Sequence, residues 1–299
     1  MQRITKISNN LTKNTPCPRI SKFTSLKNKT LVISGASRGI GLAIAKKAAK
    51  DGANIVILAK SDKPHPKLPG TIFTAAKEIE LAGGQALPLK CDIRFEDQVK
   101  ACIKKAIERF GGIDIVINNA SAISMSNTEE TSMKRYDLMN QVNTRGTFLL
   151  TKTCLPYLKK SSYAHVITLS PPLFMKEKWF ANHVAYSMSK YGMSMCVLGF
   201  AGEFREWNIS VNAVWPKTMV ATSAIKYHLG GDETIRRSRK DTIVADSVYV
   251  LLTSKAGTVT GGFFFDEDIL RAQGETDFAK YKFDPKLKET DLIPDGFIN

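Results

Sequence analysis

An apolar run, Leu31-Val32-Ile33-Ser34, is followed at once by Gly35-Ala36-Ser37-Arg38-Gly39-Ile40-Gly41, and then by a stretch to Lys50 with alanine and isoleucine on one helical face. Strand, glycine turn and helix in that order constrain the fold more than any other feature of the chain. Glycines let the backbone come close to a pyrophosphate, and the helix start offers unpaired N–H groups and a positive dipole end. The turn is therefore expected to cradle phosphates, with Ser34, Gly35, Ser37, Arg38, Gly39, Ile40 and Gly41 as its contacts.

The alternation continues downstream. Periodicity predicts strands at 54–59, 86–91, 113–117, 165–169, 209–214 and 260–265, with helices at 75–82, 96–110 and 134–158 and another carrying Tyr186 and Lys190. In the helix at 96–110, Val99, Cys102, Ile103, Ala106, Ile107 and Phe110 share a face, and Gly111-Gly112 ends it. The order implies an α/β fold, a single Rossmann-like doubly wound parallel sheet. A chain of 299 residues with 43% hydrophobic content is long enough for one substantial core. The expected layout is a basic leader at 1–25, the Rossmann domain at 26–273 and a polar tail at 274–299 that lies on the surface without chemistry.

Charge and cysteine usage narrow the function. The net charge of +15 is uneven, because the first acidic residue is Asp51 and Arg3, Lys6, Lys13, Arg19, Lys22, Lys27 and Lys29 precede it among Ser, Thr and Asn. Such a leader resembles a mitochondrial targeting segment, although Pro16 and Pro18 would stop an amphipathic helix early. A disordered basic tail on a cytoplasmic or peroxisomal protein is the alternative. The charge carries no strong nucleic-acid signal. No apolar run is long enough to span a bilayer. Cys17, Cys91, Cys102, Cys154 and Cys196 include no Cys-x-x-Cys pair, and His65, His165, His183 and His228 form no ligand-like cluster, so neither disulfides nor a metal is expected.

Tyr186 and Lys190 stand four apart in Ala185-Tyr186-Ser187-Met188-Ser189-Lys190 and so share a helical face. A free phenol titrates near pH ~10, and a neighbouring ammonium shifts it toward use as a proton carrier at neutral pH. With the G-x-x-x-G-x-G spacing of Gly35, Gly39 and Gly41, this pair gives the chain its resemblance to the short-chain dehydrogenases/reductases over roughly Leu26 to Leu270. The resemblance implies that Tyr186 is the general acid/base, that Lys190 binds the nicotinamide ribose and lowers the tyrosine pKa, and that Asn143 holds a water in the proton relay. It implies that Asn118-Asn119-Ala120 shapes the cofactor site, with Asn119 and Ala120 in contact, and that Asp92 meets the adenine.

The second strand ends Leu58-Ala59-Lys60, with Arg38 nearby in the turn. Two cations without an acid favour NADP(H), since an acid there would repel the 2′-phosphate and each charge-assisted contact contributes roughly 1.5–3 kcal/mol. Two departures from the family stand out. Ile167-Thr168-Leu169-Ser170-Pro171-Pro172 puts proline where the family has its substrate-holding serine, leaving Ser170 to turn inward, and Pro216-Lys217-Thr218 replaces Pro-Gly, making Thr218 the expected nicotinamide contact. The chain is expected to act as a homo-oligomer on a small apolar, lipid-like alcohol or ketone. The rival reading is a catalytically weak scaffold of this fold that partners RNA, membrane or an assembly.

Overall fold

The computed structural model describes residues 17–20, 24–66 and 68–298, so most of the expected basic leader lies outside the described residues. Seven strands form one parallel sheet: β1 (Thr30–Ser34), β2 (Asn54–Ala59), β3 (Gln85–Lys90), β4 (Ile115–Asn118), β5 (His165–Leu169), β6 (Ser210–Trp215) and β7 (Phe263–Phe265). Their spatial order is β3-β2-β1-β4-β5-β6-β7. The chain thus winds outward in both directions from β1 and β4, which leaves a crevice beyond the carboxyl ends of those two strands. The helices are α1 (Gly39–Ala49), α2 (Ile72–Leu81), α3 (Glu96–Phe110), α4 (Met133–Asn140), α5 (Gly146–Leu158), α6 (Val184–Glu203), α7 (Thr242–Leu252) and α8 (Asp266–Ala272), with shorter turns between some of them.

Strand residues sort by parity into two cores. Ile33, Ile55, Ile57, Ile115 and Ile117 pack with Ile44 of α1, Ile79 of α2, Val248 of α7 and Ile269 of α8. Val32, Val56, Val116 and Val166 face the other way, against Val99 of α3, Leu150 of α5 and Val197 and Phe200 of α6. Because both faces are covered, the strands read as continuous apolar runs instead of alternating ones. The edge strand β3 accommodates Pro88 opposite Ile57, where a missing N–H costs no interior ladder bond. No helix among the described residues is long and apolar enough to cross a membrane.

Two differences from the sequence reading bear on the site. The single helix expected at 134–158 is instead α4 and α5 joined by a π-helical turn, Gln141–Arg145. That widened turn carries Asn143, whose side chain accepts from the Ala122 N–H at 2.7 Å and donates to the Ala122 carbonyl and to Ser189 Oγ, both at 2.9 Å. One extra residue in the turn is the kind of local distortion that helices retain at functional positions. Second, the tail at 274–299 is not a surface feature throughout, since Phe278, Tyr281, Leu292 and Phe297 are all buried.

Helix α6 is fastened to its surroundings by side-chain hydrogen bonds. Ser194 Oγ donates to the Pro171 carbonyl at 2.7 Å and Tyr191 Oη to the Phe174 carbonyl at 2.6 Å, which pins the irregular segment after β5. Thr144 donates to the Ser189 carbonyl at 2.9 Å, and Gly192 lets it come that close, because a Cβ there would sit 2.3 Å from Thr144 Oγ1. Gly192→Ala should therefore destabilise the protein by about 1–3 kcal/mol. Combining it with Thr144→Ala should cost less than the sum of the two single changes. Urea unfolding of the four proteins measures this, and strict additivity would contradict the contact.

Candidate active site

The site begins at the turn after β1. Gly35 and Gly39 have φ of +69° and +55°, a left-handed backbone that other residues adopt only with strain. A Cβ on Gly41 would lie 2.5 Å from Asn119 Nδ2, so this position is glycine because the end of β4 lies against it. Arg38 caps α1 without any side-chain bond to the helix, leaving the first N–H groups of the helix to face a ligand. Of the expected cofactor contacts, Gly35, Ser37, Arg38, Gly39, Ile40, Lys60, Asp92, Asn119 and Ala120 line one groove. These residues fit a dinucleotide: a glycine cradle, an open helix start and a cationic strand end lie in one cleft.

Ser34 and Gly41 belong to the frame instead of the groove wall. The Ser34 hydroxyl accepts from the N–H groups of Asn119 and Ala120, both at 3.1 Å, and donates to the Ile117 carbonyl at 3.3 Å. Asn119 returns the link by donating Nδ2 to the carbonyls of Ser34 at 3.0 Å and Gly35 at 3.1 Å. Arg38 is largely committed as well, giving Nε to the Pro69 carbonyl at 2.9 Å and Nη2 to the Gly70 carbonyl at 2.6 Å. The Lys60 side chain is 60% exposed, with its ammonium 3.9 Å from Asp92. Burial pushes the Asp92 carboxyl up, but Arg94, 2.6 Å away, holds it below its ordinary value.

A second chamber continues from this groove, sharing Ile40, Asn119, Ser121, Ile123, Thr222 and Ala224 with it. Tyr186 and Lys190 both line that chamber. They are 7% and 3% exposed, so each is surrounded by protein except toward the cavity. Lys190 Nζ donates to the Leu169 carbonyl at 2.6 Å, lies 3.4 Å from Met193 Sδ and stands 5.0 Å above the Trp215 ring. Burial pushes the Lys190 ammonium down to about 7, partly opposed by Asp295. The spacing predicts a phenol depressed by the lysine, whereas here burial, reinforced by Asp295, pushes Tyr186 up. The physical reason is that the ammonium is turned to the strand-end carbonyl and the phenol stands in an apolar wall.

Two expected contacts fall elsewhere. Ser170 is fully buried, its hydroxyl has no partner among the described residues, and Leu169 occupies the chamber wall in its place. The Ser170 N–H donates back to the Thr168 carbonyl at 3.0 Å and Pro171 fixes the following φ, a tight turn that aims the serine inward to protein. The Thr218 hydroxyl is also buried with no partner among the described residues and lines neither cavity, while Thr222 lines both. Sequence reasoning missed Trp215, Thr222, Asp295 and Phe297. The last two lie in a polar, aperiodic tail that gave no signal.

Fold and site together define a short-chain dehydrogenase/reductase: the family model described as short chain dehydrogenase matches residues 29–228, and the chain belongs to that family. Among curated relatives, hydroxysteroid dehydrogenase-like protein 2 of Xenopus laevis is 54% identical over 270 residues, covering 90% of this chain and 63% of that protein. The chain thus spans a little less than two thirds of that relative's length. A short chain dehydrogenase structure from Mycobacterium thermoresistibile is 50% identical, with a TM-score of 0.86 over 92% of this chain and 96% of that one. A metagenomic short-chain oxidoreductase solved in complex with NADP is 25% identical, with a TM-score of 0.66 over 81% of this chain and 97% of that one.

The buried lysine makes a stability prediction. Between about 7 and its ordinary 10.5, Lys190 holds less proton folded than unfolded, so its cost is fully present below pH 7 and disappears as pH rises through 10.5. Lys190→Met should raise the unfolding temperature at pH 6 by about 4 °C or more, with the gain shrinking toward pH 10. Calorimetry at the two pH values checks this, and equal gains would contradict the buried-charge account.

Proposed function

We propose that the protein interconverts an alcohol and a carbonyl on an apolar, lipid-like substrate, using NADP(H). The observation that carries this reading is the continuity of the glycine-turn groove with the chamber lined by Tyr186 and Lys190. In this reading the α1 start holds the phosphates, Asp92 and Ile93 bound the adenine end, and Lys190 holds the ribose. A nicotinamide cofactor bound there would supply or accept the hydride at the substrate carbon. Tyr186 Oη gives or takes the proton at the substrate oxygen and Lys190 passes it on, whereas the Asn143 side chain, fully buried and bonded to Ala122 and Ser189, lines neither cavity. Leu169, Trp215, Met219, Val220, Ile225 and Leu229 give the chamber its apolar wall and support an apolar substrate.

Preference for NADP(H) rests on Lys60 and on the absence of an acid at the end of β2, since solved structures similar to this chain carry NADP or NAD alike. Exposed Phe148, Met188 and Met195 support a homo-oligomer, while Met193 is core. A mitochondrial location rests on the basic leader alone. The position of Ser170 away from the chamber wall favours one rival, a nucleotide-binding scaffold with little turnover, because the carbonyl oxygen then has one donor fewer.

Two experiments test the proposal. Tyr186→Phe removes one hydroxyl, so NADPH binding should persist while turnover on a panel of medium-chain alcohols and aldehydes falls by about a hundredfold to ten-thousandfold. Near-normal turnover would remove Tyr186 from the reaction, and no turnover by the unaltered protein would favour the scaffold. In the second, Ala59→Asp with Lys60→Ala replaces attraction by repulsion at the 2′-phosphate. NADPH affinity should fall about tenfold or more relative to NADH by fluorescence titration, and an unchanged ratio would separate Lys60 from the phosphate.

A further inference from the structure

The segment 292–298 brings Asp295 into the wall of the chamber that Tyr186 and Lys190 line. The segment is stitched down by its backbone: Met219 N–H donates to the Ile293 carbonyl at 2.9 Å, Ile293 N–H to the Arg237 carbonyl at 3.0 Å and Asp295 N–H to the Lys217 carbonyl at 3.2 Å. Trp215 Nε1 donates to the Gly296 carbonyl at 2.9 Å, and the Phe297 ring packs 5.7 Å from Trp215 and 6.4 Å from Tyr186. Arg239, paired with Glu267 and Glu289, ties the approach to this segment to α8.

Asp295 lines the chamber and is its single acidic side chain among the described residues, as Lys190 is its single basic one. Its Oδ1 accepts from the Gly296 N–H at 2.6 Å, and no side chain forms an ion pair with it among the described residues. The Lys190 ammonium is instead turned to the Leu169 carbonyl. We propose that Asp295 sets the charge selectivity of the site, admitting neutral alcohols and carbonyls and turning away molecules that carry a carboxylate or phosphate into the chamber.

A like charge brought beside a carboxylate in a mainly apolar chamber is screened less than in bulk water, and such juxtaposition discriminates between ligands more than it adds affinity. Among the described residues, three charged or titratable groups face Asp295. Lys190 and Tyr186 come from α6, and Asp266, at the start of α8, adds a second negative field. Burial pushes Asp295 up to about 7, so its charge is present at pH 8.

The inference rests on reading this chamber as the substrate site, and binding measurements separate the two. Isothermal titration at pH 8, on the full chain with and without NADPH, compares 1-octanol with octanoate. Octanoate should bind the unaltered protein at least about tenfold more weakly than octanol, and Asp295→Asn should bring the ratio to about threefold or less by tightening octanoate alone. Asp295→Glu should retain the discrimination, and Asp295→Ser carries the expectation should the asparagine variant fail to fold. An unchanged ratio in Asp295→Asn, equal binding by the unaltered protein, or binding of neither probe overturns the proposal. A narrowed ratio in a protein that turns over no alcohol or carbonyl would uphold the selectivity and remove the oxidoreductase reading.

Discussion

The site is organised around an ammonium group buried where water cannot reach it freely. A cation in an apolar wall costs several kcal/mol unless dipoles replace its hydration. Lys190 finds them at the carbonyl of Leu169, the sulfur of Met193 and the face of Trp215. Leu169 ends β5 and Trp215 ends β6, and their parallel register places the two strand ends side by side, with Leu169 opposite Val214. With α6 already held by Ser194, Tyr191 and Ser189, these contacts keep the Lys190 head at the ends of β5 and β6. Tyr186, one turn earlier on the same face, is carried into the chamber with it.

A second tie sets the cofactor end. Where the winding reverses, nothing covalent holds the ends of β1 and β4 together, and the reciprocal bonds of Ser34 and Asn119 do so. Asn119 can reach across only because Gly35 and Gly41 lack side chains. One set of contacts thus explains both the glycine spacing and the width of the groove. The widened turn at Asn143 completes the frame by locking Ala122 and Ser189 to the same helix layer.

Regular parts of this molecule were legible in the sequence because their causes are local. The β2 and β5 boundaries follow from apolar runs, and α3 follows from spacing and a left-handed glycine at its end. The groove residues were legible for a different reason, since glycine turns have few alternative uses. The π-helical turn was not, because its bonds go to Ala122 and Ser189, far away in sequence. Ser170 and Thr218 were placed by analogy of register, and proline geometry and the tail's contact with the 216–219 segment decide otherwise. Asp295 and Phe297 lie in an irregular strap held mainly by tertiary hydrogen bonds, to Lys217, Arg237 and Trp215, and Phe297 even adopts a left-handed φ of 62° that its aromatic neighbours hold in place.

The central claim is that groove and chamber are one site, with the phenol of Tyr186 at the point of chemistry. A crystal structure of the protein grown with NADPH tests it most directly. In that crystal the phosphates should lie on the start of α1, the ribose against Lys190, and the nicotinamide ring in the chamber between Tyr186 and Thr222. A cofactor bound outside the groove, or a nicotinamide ring held away from the Tyr186 phenol, would contradict it.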